Sequence, residues 1–245
     1  MTIDTLLTPA ELPALARRDL RGTACVVFDI LRATSTFVTA LQNGAQAVIP
    51  VGEIAEAVGC HRRQPDVLLA GERDGVKIRA VQSGGIDFDL GNSPREFTRD
   101  KVRGKIIVST TTNGTRALRA CAGARVILAA SFLNLAATAK LLNQSQPDEI
   151  LLVCAGTGEA AALEDVLAAG ALAGLVGGEL SDATELASRT FLSAKADLPA
   201  VIASSQNARR LLAIPELRAD VAFCAQRDIV KAVAAMNADG LIRLL

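Results

Sequence analysis

Six short apolar runs recur along the first two thirds of the chain: Ala24–Ile30, Ala47–Val51, Val67–Ala70, Lys105–Ser109, Arg125–Ala129 and Ile150–Ala155. Most are nearly continuous Val, Ile and Leu rather than alternating, the pattern of strands covered on both faces. The segments Thr36–Gln42, Ile54–Arg63, Thr115–Cys121, Asn134–Asn143 and Ala160–Val176 read as helices. Strand and helix in repetition predict an α/β fold, with a mainly parallel or mixed sheet between helix layers. From Ala160 to Leu212 the pattern is almost wholly helical, apart from a weak apolar stretch at Val201-Ile202, so the last third is expected to be helix-rich. Val221–Cys224 is expected to return one strand, and Ile229–Met236 to form a closing helix. The segment Gly71–Thr98 is rich in Gly, Asp and Ser, and so long a loop is uncommon unless it serves a function. The 245 residues read as one domain, with a subdivision near residue 160 left open.

Composition narrows the function. Lys+Arg and Asp+Glu both number 26, so there is no basic excess to displace counterions from nucleic acid. The chain has no Trp, no Tyr and seven Phe, too few aromatics for base-stacking platforms. No apolar run is long enough to span a bilayer, and Met1–Leu12 lacks the basic start and apolar core of a secretion signal. These features predict a cytoplasmic protein that binds neither nucleic acid nor membrane. The five cysteines are scattered without a C-x-x-C pair, and Cys25 and Cys154 sit in apolar runs as small hydrophobes.

Candidate chemistry lies where strands give way to helices, the usual ligand position in open α/β sheets. The turn Thr110-Thr111-Thr112-Asn113-Gly114-Thr115-Arg116 offers more hydroxyls than one helix cap needs. Its hydroxyls and amides, with Arg116, describe an oxyanion cradle; a Thr-rich capped loop is the plainer alternative. Phe28-Asp29-Ile30-Leu31-Arg32-Ala33-Thr34-Ser35-Thr36 places a carboxylate at a strand end, where a Mg²⁺ ion binds or a nucleophile acts. Arg32 adds an anion-matching fork, and Thr34, Ser35 and Thr36 a hydroxylated helix start. Glu72, after the third run, is a candidate to join Asp29; Asn92 and Ser93 either turn the chain or touch ligand oxygens. Gly156-Thr157-Gly158-Glu159-Ala160-Ala161 matches G-x-G-x-x-A, a weak dinucleotide signal. Glu164 and Asp165 are adjacent carboxylates that would suit a divalent cation, although periodicity favours a solvated helix face for them.

Several phosphatase chemistries are excluded. No cysteine is followed six positions later by arginine, and the only histidine is His61, in a basic helical stretch. A G-K-[ST] phosphate loop is absent. Phosphate chemistry here would rest on carboxylates, a hard cation, hydroxyls and arginines.

In these same segments the chain resembles the 2-phosphosulfolactate phosphatase family. The resemblance rests on 28–36, Gly71-Glu72-Arg73, Leu90-Gly91-Asn92-Ser93-Pro94, 110–116, and Cys154-Ala155-Gly156 with Leu163-Glu164-Asp165. It implies a three-layer α/β/α fold and a Mg²⁺-dependent hydrolase that converts 2-phospho-3-sulfolactate to 3-sulfolactate and phosphate, a step that feeds coenzyme M synthesis in some organisms. The substrate would then be a small phosphorylated acid, either that one or another 2-phosphorylated hydroxy acid. On this reading Asp29, Arg32, Glu72 and Asp165 are catalytic, and Asp29, Glu72, Glu164 and Asp165 supply Mg²⁺ ligands. Thr34, Ser35, Thr36, Asn92, Ser93, Thr111, Thr112, Asn113, Gly114, Thr115 and Arg116 bind substrate. Asp74 and the length of Arg79–Asp87 depart from the family pattern and bear on substrate selectivity. The competing readings are a nucleotide-dependent oxidoreductase built on Gly156–Ala161 and a non-catalytic sensor of phosphorylated acids. The Ala/Leu-rich helices after Gly158 either cover the sheet or form a homodimer seam.

Overall fold

The computed structural model describes residues 1–245. Eleven strands form one sheet: β1 Thr2–Leu6, β2 Thr23–Phe28, β3 Ala47–Pro50, β4 Leu68–Arg73, β5 Val76–Lys77, β6 Ile106–Thr110, β7 Val126–Ala130, β8 Glu149–Cys154, β9 Glu179–Leu180, β10 Ala234–Met236 and β11 Ile242–Leu244. The helices are α1 Leu12–Leu15, α2 Ala33–Gln42, α3 Ile54–Arg63, α4 Ala80–Ser83, α5 Arg99–Val102, α6 Gly114–Ala120, α7 Leu135–Ser145, α8 Leu163–Ala173, α9 Asp182–Ala194, α10 Leu198–Ala203, α11 Gln206–Ala213 and α12 Arg218–Cys224. The strand order is β5-β4-β6-β3-β11-β10-β7-β2-β8-β1-β9. No helix is long and apolar enough to cross a membrane.

The near-continuous apolar runs are strands because both faces of the sheet are covered. Along β2, Ala24, Val26 and Phe28 enter one core while Cys25 and Val27 enter the other. β8 alternates likewise, with Ile150, Leu152 and Cys154 on one side and Leu151 and Val153 on the other. One core is closed by α7 to α12, the other by α1, α2 and α6. A smaller cluster packs α3 through Ala57 and Val58 against β4 and β6. The result is a three-layer α/β/α architecture with a mixed sheet and a helix-rich C-terminal region. All six predicted strands are present, and so are the five predicted helices, with shifts at their ends.

Two expectations for the C-terminus fail. Val221–Cys224 lies in helix α12, where Val221 and Cys224 (three residues apart) turn inward together. Residues 229–236 contain strand β10 rather than a helix. Asn237–Gly240 turns the chain, with Asn237 Oδ1 accepting from Leu241 N, so β10 and β11 form a hairpin. That hairpin pairs antiparallel with β7 on one side and β3 on the other, closing the gap between two parallel blocks. Alanine-rich composition favours helix, but an open sheet seam decides the outcome. The strand β1, which pairs parallel with β8, is an addition to the predicted set.

α8 also departs from its amphipathic reading. Glu164 and Asp165 are buried beneath Asn207 of α11 and the loops after β2 and β8, and Leu167–Ala173 are all buried, with α9 packed against the helix at Gly170. The two helices meet backbone to backbone at Gly170, where an added Cβ would overlap the Ala187 carbonyl. Gly170→Ala is therefore expected to destabilise the fold by about 3 kcal/mol, despite alanine's better helix propensity. Denaturant unfolding of the two proteins checks this, and equal midpoints would show that the helices can part without cost.

Candidate active site

Four strand ends meet at one cleft of about 370 Å³. Its walls carry Asp29 just after β2, Glu72 near the end of β4, Thr112 and Asn113 after β6, and Thr157 and Gly158 after β8. The loop at Asp74 and Gly75 forms part of the rim, and α11 contributes Asn207, Arg210 and Leu211. Leu31, Arg32, Asn92 and Ile214 complete the lining.

Local backbone chemistry fixes Asp29. Its Oδ1 accepts from Ala33 N (3.0 Å) at the start of α2, and its own N–H donates to Thr34 Oγ1 (3.0 Å). Its Oδ2 faces Gly114, where an added Cβ would come within 2.5 Å of that oxygen and 2.6 Å of Ala33 Cβ. Only glycine lets the β6–α6 turn approach the carboxylate so closely. Behind it, Asp165 accepts from Ile30 N (2.8 Å) and Gly156 N (3.0 Å), tying the loops after β2 and β8 together. Glu72 is committed at both oxygens: Oε1 accepts from Thr112 N and Oγ1 (both 3.0 Å), and Oε2 from Gly75 N (2.7 Å).

The predicted site residues separate into those that face the cleft and those that build its loops. Asp29, Arg32, Glu72, Asn92, Thr112 and Asn113 line it, with Gly114 immediately behind Asp29. Thr34, Ser35 and Thr36 do not; their hydroxyls donate to the carbonyls of Asp29, Ile30 and Asn92. Thr111 and Thr115 bond each other across the turn, and Ser93 donates to Asp220 Oδ1 at 2.7 Å. Arg116 lies outside, in an exposed ion pair with Glu159 (2.8 Å), and lines a separate shallow groove. Glu164 and Asp165 are buried rather than solvated, against the periodicity. Glu164 Oε1 accepts from Asn207 Nδ2 (2.7 Å), while its Oε2 has no partner.

Two contributions from the C-terminal helices were not anticipated. Asn207 and Arg210 come from α11, and Asp220 from α12. Asp220 is fully buried and accepts from Arg32 Nη1 (2.8 Å) as well as from Ser93. Arg32 Nη2 donates to the Gly75 carbonyl (2.6 Å), so one guanidinium links the loop after β2, the β4–β5 turn and helix α12. The helical pattern was legible as far as Leu212, but nothing in it marked which polar side chains turn inward, and the α12 segment that carries Asp220 adjoins residues read as a strand.

The carboxylates interact. Burial pushes Asp29 up to about 7; the Ala33 N–H opposes this, Glu72 and Glu164 add to it, and Arg32 offsets part. Asp165 is also raised, by burial first and then by Glu164 and Asp29. No three His, Cys, Asp or Glu side chains are gathered into a ready-made metal cage. The donor chemistry nevertheless fits a hard cation: clustered carboxylates, an unpartnered buried oxygen on Glu164, and one nearby guanidinium already paired with Asp220.

A three-layer α/β/α enzyme whose cleft is built from carboxylates, amides and arginine, without histidine or a reactive thiol, is the class defined by fold and site. The family model described as 2-phosphosulpholactate phosphatase matches residues 7–239. Similar proteins named "Probable 2-phosphosulfolactate phosphatase" include one from Thermotoga petrophila, 44% identical over 209 residues and covering 85% of this chain and 86% of the relative. One from Thermotoga maritima is 42% identical over 212 residues, covering 86% and 88%. One from Synechococcus sp. is 35% identical with 100% of both chains covered. The chain belongs to the 2-phosphosulpholactate phosphatase family and is a phosphoric monoester hydrolase.

Two predictions follow from this electrostatic arrangement. The raised Asp29 pKa means that the folded state binds a proton more tightly than the unfolded chain. Its contribution to stability is therefore full below about pH 4 and is lost as pH rises through about 7. In chelator-treated protein, the wild type should lose stability relative to Asp29→Asn across that window, as read from melting temperatures. A constant difference between the two would contradict the assignment. Separately, Asp220→Ala strands a buried guanidinium and should cost about 3–5 kcal/mol in denaturant unfolding. A cost below about 1 kcal/mol would show that Arg32 finds water or another partner.

Proposed function

We propose that this chain is a Mg²⁺-dependent phosphatase that hydrolyses 2-phospho-3-sulfolactate, or a closely related 2-phosphorylated hydroxy acid, to the hydroxy acid and phosphate. The observation that carries this reading is Asp29, a buried carboxylate on the cleft wall. One of its oxygens is anchored by Ala33 N–H and the other is free of any protein donor. Glu72, beside it, has both oxygens engaged. The names carried by the Thermotoga and Synechococcus relatives support the substrate class.

Asp29 and Glu164 would hold the cation, with Glu72 and Asp165 adding negative charge around them. When bound, the ion supplies positive charge to the phosphoryl oxygens and opposes the repulsion between substrate and carboxylates. The protein's own groups do the rest. Asp29 takes a proton from a water that adds to phosphorus as the bond to the substrate's ester oxygen breaks, that oxygen leaving as the hydroxyl of the product once protonated from solvent; or Asp29 itself displaces the ester oxygen, and water then hydrolyses the resulting acyl phosphate to free phosphate. Arg32 keeps N–H donors beyond those given to Asp220 and Gly75, and these meet a phosphoryl oxygen. Asn92 Oδ1, buried and without a protein partner, is an acceptor for a substrate hydrogen-bond donor or a bound water. Positioning and electrostatics carry most of the rate.

An oxidoreductase is not favoured by the Gly156 turn. A dinucleotide pyrophosphate sits at the N-terminus of the helix that the glycine turn opens. Here the turn closes on itself through Thr157 and Ala160, and the helix begins only at Leu163.

The test is phosphate release over a panel of 2-phospho-hydroxy acids, with Mg²⁺ and with chelator. Release should require the ion, and Asp29→Asn should lower kcat by about 10³-fold or more, roughly 4 kcal/mol of barrier. Near-normal turnover in that variant would sink the role of Asp29. Ligand-dependent stabilisation without phosphate release would instead make the protein a sensor.

A further inference from the structure

The proposed substrate carries acid groups beyond its phosphate, and the cleft must recognise them. Its lining has two cations, Arg32 and Arg210. Arg32 is buried and bound to Asp220 and the Gly75 carbonyl. Arg116 is paired with Glu159 outside the cleft. Arg210 is the one cation in the lining with neither an ion pair nor a side-chain hydrogen bond in the protein, although Asp29, Glu72 and Asp74 line the same cleft. A guanidinium held in an acidic cleft without a counter-charge is poised for an anion supplied by the ligand.

Its placement is built in. α11 is capped at Ser205, whose hydroxyl accepts from Ala208 N, and is anchored by buried Ala208 and Leu211. Residues 207, 210 and 211 line the cleft at the i, i+3, i+4 spacing of a single helix face, and Ile214, just past the helix end, joins them. The first of them, Asn207, donates to Glu164 Oε1 and to Thr157 Oγ1, both at 2.7 Å. The helix is thus bolted to the carboxylate cluster one turn before Arg210.

We infer that Arg210 is a specificity-determining residue, which binds the carboxylate or sulfonate of the substrate while the Asp29 end of the cleft takes the phosphate. This rests on the phosphatase reading above and adds the basis of its selectivity.

The experiment compares 2-phospho-3-sulfolactate, 2-phospholactate and isopropyl phosphate as substrates for wild type, Arg210→Gln and Arg210→Lys. It also titrates the phosphate-free product 3-sulfolactate into each by calorimetry. Loss of a charge-assisted contact is worth about 10–100-fold. The wild-type preference in kcat/KM for the two acid substrates over isopropyl phosphate should fall by that factor in Arg210→Gln, through KM rather than kcat. Affinity for 3-sulfolactate should fall alongside it. Arg210→Lys should recover part of both, since it keeps the charge but not the fork. Melting temperatures should match, because the side chain is exposed. An equal loss on all three substrates would make Arg210 a phosphate clamp and overturn the inference, as would no loss at all. Wild type that binds 3-sulfolactate through Arg210 yet hydrolyses none of the esters would overturn the phosphatase reading and leave Arg210 assigned. Wild type that neither binds 3-sulfolactate nor prefers acid esters would overturn Arg210.

Discussion

Negative charge buried around the end of β2 is the constraint from which the rest of the site follows. Asp29, Glu72, Glu164 and Asp165 influence one another, and the nearest guanidinium, Arg32, is already claimed by Asp220. A protein interior tolerates such a cluster only if the groups take up protons, accept hydrogen bonds or meet a cation. The first two are in view. Asp29 and Asp165 are raised, and Glu72 and Asp165 each accept backbone N–H groups. The free oxygens of Asp29 and Glu164 retain unused acceptor capacity. Where a purely structural cluster would be quenched fully, this one is quenched part-way.

The remaining polar groups hold that unstable arrangement in place. Hydroxyls of Thr34, Ser35, Thr36, Thr111 and Thr115 all bond backbone within their own or neighbouring loops. They look like ligand donors in the sequence because loops with many hydroxyls at helix starts serve both purposes. In the fold they shape the loops, and the cleft-facing contacts fall to Thr112, Asn113 and Asn92. Asp220 extends the same logic across the molecule. Through Arg32 and Ser93 it joins α12 to the loops after β2 and before α5, so the helical C-terminus and the site stand or fall together.

Legibility in the sequence follows burial symmetry. Strands covered on both faces leave continuous apolar runs, and β2, β3, β4, β6, β7 and β8 were readable for that reason. Asp29 and Glu72 were readable because each ends such a run. β10 was hidden by short length and alanine-rich composition and β11 by short length alone, since their pairing is set by the gap between β3 and β7 rather than by local preference. Glu164 and Asp165 were visible as residues, but their burial was not. A helix covered on its outer side by another helix carries no solvent face for periodicity to find, and the small residues that permit it, Gly170 and Ala187, look unremarkable in a row of alanines.

Arg210 and Asn207 illustrate the deeper limit. On a solvent-exposed helix, an asparagine and an arginine three residues apart are ordinary. They gain meaning only because α11 packs against the cleft, so that the stripe ending in Leu211 and Ile214 is the face turned to it. The two halves of the site thus differ in how they arise. The reacting end is built from strand termini, where position along the sheet is tightly fixed by the ladder. The selecting end is built from a short helix in the C-terminal layer, held by the hydrogen bonds of Asn207 to Glu164 and Thr157 and by two apolar anchors. With the role inferred for Arg210, a substitution there alters which acid is recognised without touching the carboxylates, whereas one at Asn207 frees Glu164 as well, so selectivity and chemistry meet at a single residue of that helix.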